Sequence, residues 1–311
     1  MAPQPRTSLM DGVLVVAKPA GPTSHDVVAL VRRLAASKRI GHGGTLDPFA
    51  SGVLPLFLGG ATRLVEYHLG DPKTYRATIC FGASSTTDDL DGELTPSESP
   101  APEREAVAVA LGTFVGPLLQ QPPVYSAIQV GGRRAYRIAR SGEVPALSPR
   151  AVTIQRLTLL EWDGSDPTRP IASVEVDCSA GTYVRALARD LGVAVGSAAY
   201  LCGLVRTVSG PFGLDRAHSL DAIREAAASG GPVGIRALLL PPDAGLDAIA
   251  AVHLTRAEVD DAAKGRFVRP EAGLAGAPAD APLRLLDPDG RIIGIGRLDG
   301  RRVAPDKMLI G

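Results

Sequence analysis

Aromatic residues make up only 4% of this 311-residue chain, so any surface that stacks on nucleic-acid bases must be built from a few specific rings. Net charge is missing as well: 33 Lys and Arg balance 33 Asp and Glu. That excludes a generally basic coat but allows a local basic groove, because charge acts over roughly a Debye length, about 8 to 10 Å. There are three cysteines, Cys80, Cys178 and Cys202, with no CxxC pair. They are expected as buried thiols in a reducing compartment, neither disulfides nor zinc ligands. No apolar run approaches the roughly eighteen residues of a membrane span. The N-terminus carries one arginine and then only the short run Gly12 to Ala17, which is no signal-peptide pattern. The expectation is a soluble, cytoplasmic protein with no membrane contact.

Several catalytic signatures are absent too. There is no G-x-x-x-x-G-K-[ST], no G-x-S-x-G, no H-E-x-x-H and no H-x-E with C-x-x-C. Walker-type ATP hydrolysis, serine hydrolase chemistry and zinc deamination therefore lose their support.

What is present is globular: 45% apolar and 21% charged residues. "VLVVA", Val13 to Ala17, reads as a short buried strand ending at Lys18-Pro19. Thr23 or Ser24 caps a helix whose Val27, Val28, Val31 and Leu34 recur at helical spacing to about Ala36. "KTYRATICFG" alternates as a strand, with Tyr75, Ala77, Ile79 and Phe81 on one face. An acidic, turn-rich loop follows, then a helix candidate over Pro102 to Thr113. Leu157 to Trp162 and Ile171 to Cys178 read as strands. "SAGTYVRALARDLG" starts a helix with the stripe Val184, Leu187 and Leu191. Ala226 to Pro242, with "SGGP", reads as an inter-domain stretch. From His253 come a short helix, a Gly/Ala/Pro linker, and two strands around Pro288-Asp289-Gly290.

One segment differs in composition. Gln120 to Arg150 holds five arginines, among them Arg133, Arg134, Arg137 and Arg140, against the single acid Glu143. It is expected to be an inserted basic arm.

"RIGHGGTLDPFASGVLPL" places one carboxylate, Asp47, in irregular backbone among three glycines, His42 and Pro48, against the apolar run Val53 to Leu58. Taken singly, such an aspartate is a turn or cap more often than a reactive group. Tyr75 and Arg185 are plausible companions. Arg185 sits in a first helical turn off the apolar stripe, where its guanidinium is expected to point into a cleft. A cation near a positive helix end is unfavourable, which hints that acids nearby hold it.

Read together, these stretches resemble the bacterial tRNA pseudouridine synthase B family. "GHGGTLDPFASGVLPL" looks like its catalytic motif, "GVLVVAKPAGPTSHDVV" its Lys-Pro motif and "KTYRATICFG" its tyrosine strand. "PPVYSAIQVGGRRAYRIARSG" is similar to its RNA-gripping insertion and "CSAGTYVRALARDLG" to its arginine motif. The matches run in order from about Asp11 to Val208, and the C-terminal hairpin resembles the family's PUA-type domain more weakly. The resemblance implies an α+β pseudouridine synthase fold with a mixed, largely antiparallel central sheet flanked by helices, plus a small C-terminal β domain. The catalytic domain is expected over 1–240, with its insertion at about 120–150, and the PUA-like domain over 250–311.

The implied activity is isomerisation of uridine to pseudouridine at position 55 in the T loop of tRNA. Asp47 falls on the nucleophile, Tyr75 on the tyrosine that packs on the flipped base, and Arg185 on the arginine paired with the nucleophile. His42 matches the residue that fills the space of the extruded base, Leu204 a pocket-lining residue and Lys18 a supporting lysine. Asp89 is expected to orient Arg185, and Arg133, Arg134, Arg137 and Arg140 to meet RNA. Such a reaction needs no metal and no cofactor. The carboxylate suits three routes: stabilising or trapping an oxocarbenium-like sugar carbon, deprotonating the sugar to a glycal, or attacking the base. The implied partner is the tRNA T arm, met by a monomer without an obligatory protein partner.

The chain departs from the family pattern at Gln129, where a lysine is usual, at Arg137, where an acid is common, and at Tyr200 and Val205. Losing a phosphate-contacting charge weakens affinity without touching sequence readout. Two other classes remain: a tRNA-binding and folding factor without turnover, and a carbohydrate hydrolase pairing Asp47 with Asp89 or Asp91. The hydrolase ranks last, because a basic arm has no role in it.

Overall fold

A computed structural model describes residues 10–270 and 280–309. Along the chain run β1 (Gly12–Lys18), α1 (Ser24–Leu34), β2 (Ile40–His42), β3 (Ser51–Leu58), a 3-10 turn (Gly59–Leu64), α2 (Glu66–Leu69), β4 (Lys73–Phe81), β5 (Ala83–Ser85), β6 (Leu94–Pro96), α3 (Arg104–Thr113) and β7 (Gly116–Gln120). Then come β8 (Gln129–Val130), β9 (Arg133–Arg134), α4 (Ala135–Arg140), β10 (Arg150–Asp163), β11 (Ile171–Cys178), α5 (Val184–Ala194) and β12 (Ala199–Ser209). The last stretch holds β13 (Phe212–Gly213), β14 (His218–Ser219), α6 (Leu220–Arg236), β15 (Ala251–His253), α7 (Arg256–Ala263), β16 (Pro282–Leu286), β17 (Ile292–Asp299) and β18 (Arg302–Met308).

The chain divides into two compact units. One comprises residues 1–46, 53–69 and 210–311, the other 47–52 and 70–209.

In the first unit β1 runs parallel to β14, with Val16 opposite His218, and the order continues to β3, which β2 joins antiparallel. α1 starts where Thr23 accepts from the Asp26 N–H while the Asp26 carboxylate accepts from the Thr23 N–H, a reciprocal capping box. Its Val27, Val28 and Val31 pack with Leu14 and Val16 of β1 and with Ile223 and Ile235 of α6. The expected inter-domain stretch 226–242 is therefore corrected. Most of it is α6, since its alanines are strong helix formers. The breakers act only at Gly231 (φ 55, ψ −142), after which Pro232 starts a second run with a preset φ. Leu240 then exchanges two backbone hydrogen bonds with Val13, at 3.0 and 2.9 Å.

Residues 250–309 carry a sheet of their own, in the order β15-β16-β17-β18. The expected hairpin around Pro288-Asp289-Gly290 is β16–β17, with β15 parallel on one side and β18 antiparallel on the other. Leu283, Leu285, Ile293 and Val303 form its core with Val252 and Ala262. Most of the expected Gly/Ala/Pro linker, 271–279, lies outside the described residues.

In the second unit the first two residues of β3 run parallel to β12, and the order continues β12-β4-β11-β10-β7 with every further pairing antiparallel. The sheet is mixed and largely antiparallel, and α5 packs over β12 and β4. The cysteine expectation is corrected here. Cys80 and Cys202 are joined by a disulfide with Cα atoms 6.0 Å apart. They meet because a bulge between Leu201 and Gly203 puts Cys202 beside the end of β4. Cys178 alone stays a thiol, buried, and burial pushes it up to about 11.

Candidate active site

The loop that carries Asp47 is irregular from Gly43 to Ala50, as the glycines and Pro48 require. In the first unit its near side is pinned twice. Ser24 accepts from the Leu46 N–H (2.9 Å) and donates to the Leu46 carbonyl (3.1 Å), and the Gly43 N–H donates to the Pro55 carbonyl (3.0 Å). In the second unit the Ala50 N–H donates to the Asp47 carbonyl (3.1 Å) and closes a turn. The exit is set by Gly52 (φ 109), where a Cβ would lie 2.2 Å from the Arg206 carbonyl oxygen. Only glycine lets β3 come this close to β12.

The Asp47 carboxylate, with 37% of its side chain exposed, meets Arg185 Nε at 3.0 Å. Arg185 itself is only 6% exposed. Its expected free projection into a cleft is replaced by an enclosed guanidinium with a partner on each nitrogen. Nη1 donates to Asp89 Oδ2 (3.0 Å) and the Thr87 carbonyl (3.1 Å), and Nη2 donates to the Tyr125 carbonyl (3.0 Å). The acids expected to offset its helix-end position are thus Asp47 and Asp89. Asp89 is buried and its other oxygen accepts from Thr87 Oγ1 (2.5 Å) and the Asp91 N–H (3.0 Å). Planar, forked contacts of this kind fix direction as well as charge.

Tyr75 and Leu204 stand on facing strands: Leu204 is opposite Ala77 and Arg206 opposite Tyr75. Strand alternation puts all four on one face of the sheet. Burial pushes the Tyr75 phenol up, while the Arg206 guanidinium, hydrogen-bonded to it, acts the other way. Arg206 is 1% exposed, and residue-by-residue reading missed it. A lone charge in the apolar strand "YLCGLVRTVS" was the available signal. Reading also missed Gln120, whose side-chain amide spans both backbone groups of Tyr183, the residue before α5 (2.8 and 3.1 Å).

His42 and Lys18 belong to the other unit. His42 Nδ1 accepts from the Gly44 N–H (3.4 Å), with the His25 ring edge-on at 5.6 Å. Lys18 is buried at the end of β1 and donates to the Pro19 carbonyl (2.9 Å).

The basic arm is ordered around a small hairpin. β8 and β9 turn through Gly131 (φ 55) and Gly132 (φ 80), a backbone that glycine supplies at least cost. Arg133 pairs with Glu143 (3.1 Å), and Arg134 donates to the Ala127 carbonyl (2.5 Å). The guanidiniums of Arg137 and Arg140 lie 5.9 and 5.8 Å from the centre of the Tyr136 ring, a cation–π arrangement.

With this geometry established, comparison with known proteins places the chain in a class. The family model described as TruB family pseudouridylate synthase (N terminal domain) matches residues 32–184, which cover the loop, the tyrosine strand and the arm. A crystal structure of a Cbf5–Nop10–Gar1 complex contains a chain that superposes with a TM-score of 0.71, at 26% identity over 97% of this chain and 85% of that one. The fold is therefore that of a pseudouridine synthase. The tRNA pseudouridine synthase B of Synechococcus elongatus is 42% identical over 96% of this chain and 98% of its own length. The protein of that name from Mycobacterium tuberculosis is 42% identical over 94% and 93%. The chain belongs to the tRNA pseudouridine synthase B family.

Proposed function

We propose that the protein isomerises uridine to pseudouridine at position 55 in the T loop of tRNA, with Asp47 as nucleophile. The observation that carries this reading is the clasp on Asp47: a carboxylate open to solvent on one side and fixed from behind by a buried arginine. Such a group acts on a sugar or base carbon without a metal, because its approach direction is set before substrate arrives. The target uridine must leave the stack to reach it, at a cost of about a few kcal/mol. His42 fills the vacated space, Tyr75 packs on the flipped base and Leu204 lines its pocket. Asp89 orients Arg185, and Lys18 has a supporting role.

Arg133, Arg134, Arg137 and Arg140 of the arm and the sheet β15-β16-β17-β18, as a PUA-like module, hold the tRNA through its backbone. Arg137 offsets part of the charge that a lysine would supply at Gln129. The protein works in the cytoplasm as a monomer without an obligatory protein partner, and the arm gains its working position on RNA. Among the described residues no helix is long and apolar enough to cross a membrane.

The test is incubation of an unmodified tRNA transcript with the protein alone, followed by chemical mapping of pseudouridine. Modification confined to position 55 supports the reading. Tight tRNA binding with no modified uridine overturns it in favour of an RNA-binding factor. Binding should also weaken steeply as salt rises, since phosphate contacts release counterions.

A further inference from the structure

One turn beyond Arg185 on α5 stands a second arginine, and it repeats the contacts of the first. Arg189 Nη1 meets Asp88 Oδ2 at 2.9 Å, as Arg185 Nη1 meets Asp89, and Arg189 Nη2 donates to the Gln121 carbonyl (2.9 Å), as Arg185 Nη2 donates to Tyr125. Residues four apart on a helix share a face, about 5 to 6 Å apart. Two consecutive aspartates cannot normally point the same way, since neighbouring side chains diverge. Here Asp88 takes a left-handed backbone (φ 60), which turns both carboxylates toward one helix. For a residue with a Cβ that conformation costs about 1 kcal/mol. It is held in place by the Leu201 N–H, which donates to the Asp88 carbonyl (3.0 Å), and by Arg189.

The same helix face therefore grips two other segments at two points each. One is the acidic loop after β5, through Asp88 and Asp89. The other is the root of the basic arm, through Gln121 and Tyr125. Arg185 alone cannot fix its own direction, because its partners Asp89 and Tyr125 both sit on loops. Arg189 holds Asp88, the residue before Asp89, and Gln121, four residues before Tyr125. From these contacts we propose that Arg189, acting through Asp88 and the Gln121 carbonyl, is a positioning residue for the Arg185–Asp47 pair. Its own partners are Asp88, Asp190 and the Gln121 carbonyl, so it acts on Asp47 only through other groups. Asp190, which also pairs with Arg189 (2.8 Å), lies on α5 itself and bridges to neither loop. The inference rests on the proposed uridine isomerisation.

The experiment measures turnover on a tRNA transcript for wild type, Arg189→Ala, Arg189→Lys, Asp88→Asn, the double variant Asp88→Asn/Arg189→Ala, and Asp190→Asn. Misplacing a reacting group by about 1 Å costs up to roughly 100-fold. Arg189→Ala is therefore expected to lower kcat about 10- to 100-fold, with KM for tRNA within about threefold. Arg189→Lys keeps the charge and covers the case in which the alanine variant does not fold. Its ammonium lacks the planar fork that serves Asp88 and Gln121 at once, so kcat should fall by an intermediate factor, about 3- to 10-fold. The double variant should be no slower than Arg189→Ala, because groups that act as a unit are not additive. Asp190→Asn should stay within about twofold of wild type.

Wild-type kcat in folded Arg189→Ala or Arg189→Lys overturns the inference. So does a loss confined to KM or to melting temperature, and so does an equal loss in Asp190→Asn, which would make the effect one of charge alone. Wild type without turnover overturns the functional reading and this inference with it. Wild-type turnover with unimpaired Arg189 variants overturns this inference alone.

Discussion

Replacing Asp89 by asparagine should disable the site from behind without touching RNA. Asp89 is 4% exposed and accepts from Arg185 Nη1, Thr87 Oγ1 and the Asp91 N–H. An amide keeps one oxygen and the shape but turns an N–H2 group toward donors. The lost charge-assisted bond accounts for about 1.5 to 3 kcal/mol, and one buried mismatched donor for about 1 to 3 more. Breaking one partner of a buried ion pair costs about 3 to 5 kcal/mol in general, which agrees. Arg185 keeps Asp47, so the lower end, about 3 kcal/mol, is expected. At roughly 2 to 4 °C per kcal/mol for a unit of this size, melting should fall by about 6 to 12 °C. Arg185 then loses one of its directional constraints, and kcat should drop about 10- to 100-fold while KM for tRNA changes little. Thermal unfolding followed by circular dichroism and pseudouridine formation on a tRNA transcript read the two effects. A melting point within about 2 °C of wild type, or a kcat within about twofold, would refute the claim that Asp89 holds Arg185 in place.

Further predictions concern backbone, thiols and pH. Gly52→Ala puts a Cβ 2.2 Å from the Arg206 carbonyl at φ 109 and should cost more than about 2 kcal/mol, or leave no soluble protein; a urea midpoint equal to wild type contradicts it. Unreduced, denatured protein should titrate one thiol with Ellman's reagent and three after reduction; three without reduction removes the disulfide. Cys178, pushed up to about 11, should resist iodoacetamide at pH 8 in the folded protein and react once unfolded. Burial raises the phenols of Tyr75 and Tyr183 above the usual 10. Above about pH 10 the unfolded state therefore loses its protons first, and stability falls as pH rises. Tyr75→Phe should make that fall shallower in urea melts from pH 8 to 11, and an unchanged slope contradicts the assignment.

Local chemistry was readable in the sequence wherever it was decided locally. The helix start at Thr23 or Ser24, the alternation of β4 and the broken backbone around Asp47 depend on residues within a few positions of one another. The resemblance of five ordered motifs paired Asp47 with Arg185, and the two form an ion pair. What stayed hidden depends on register between distant strands. Cys80 and Cys202 are 122 residues apart and meet only because β12 bulges at Cys202. Arg206 reaches Tyr75 through the same pairing, and no spacing rule gives it. The helix α6 was obscured by Gly231 and Pro232, whose breaking effect is confined to one kink. Nothing local marks Arg189 in the sequence, because its partners, Asp88 and Gln121, come from segments 101 and 68 residues away.

Asp47, held by Arg185, is proposed to isomerise one uridine of tRNA. The most direct measurement is tritium release from tRNA carrying uridine labelled at carbon 5, for wild type and Asp47→Asn side by side, because forming the new bond at carbon 5 expels that hydrogen. Release by wild type alone, lost when position 55 is no longer uridine, is the predicted result. Release by both proteins, or by neither while tRNA still binds tightly, would contradict it.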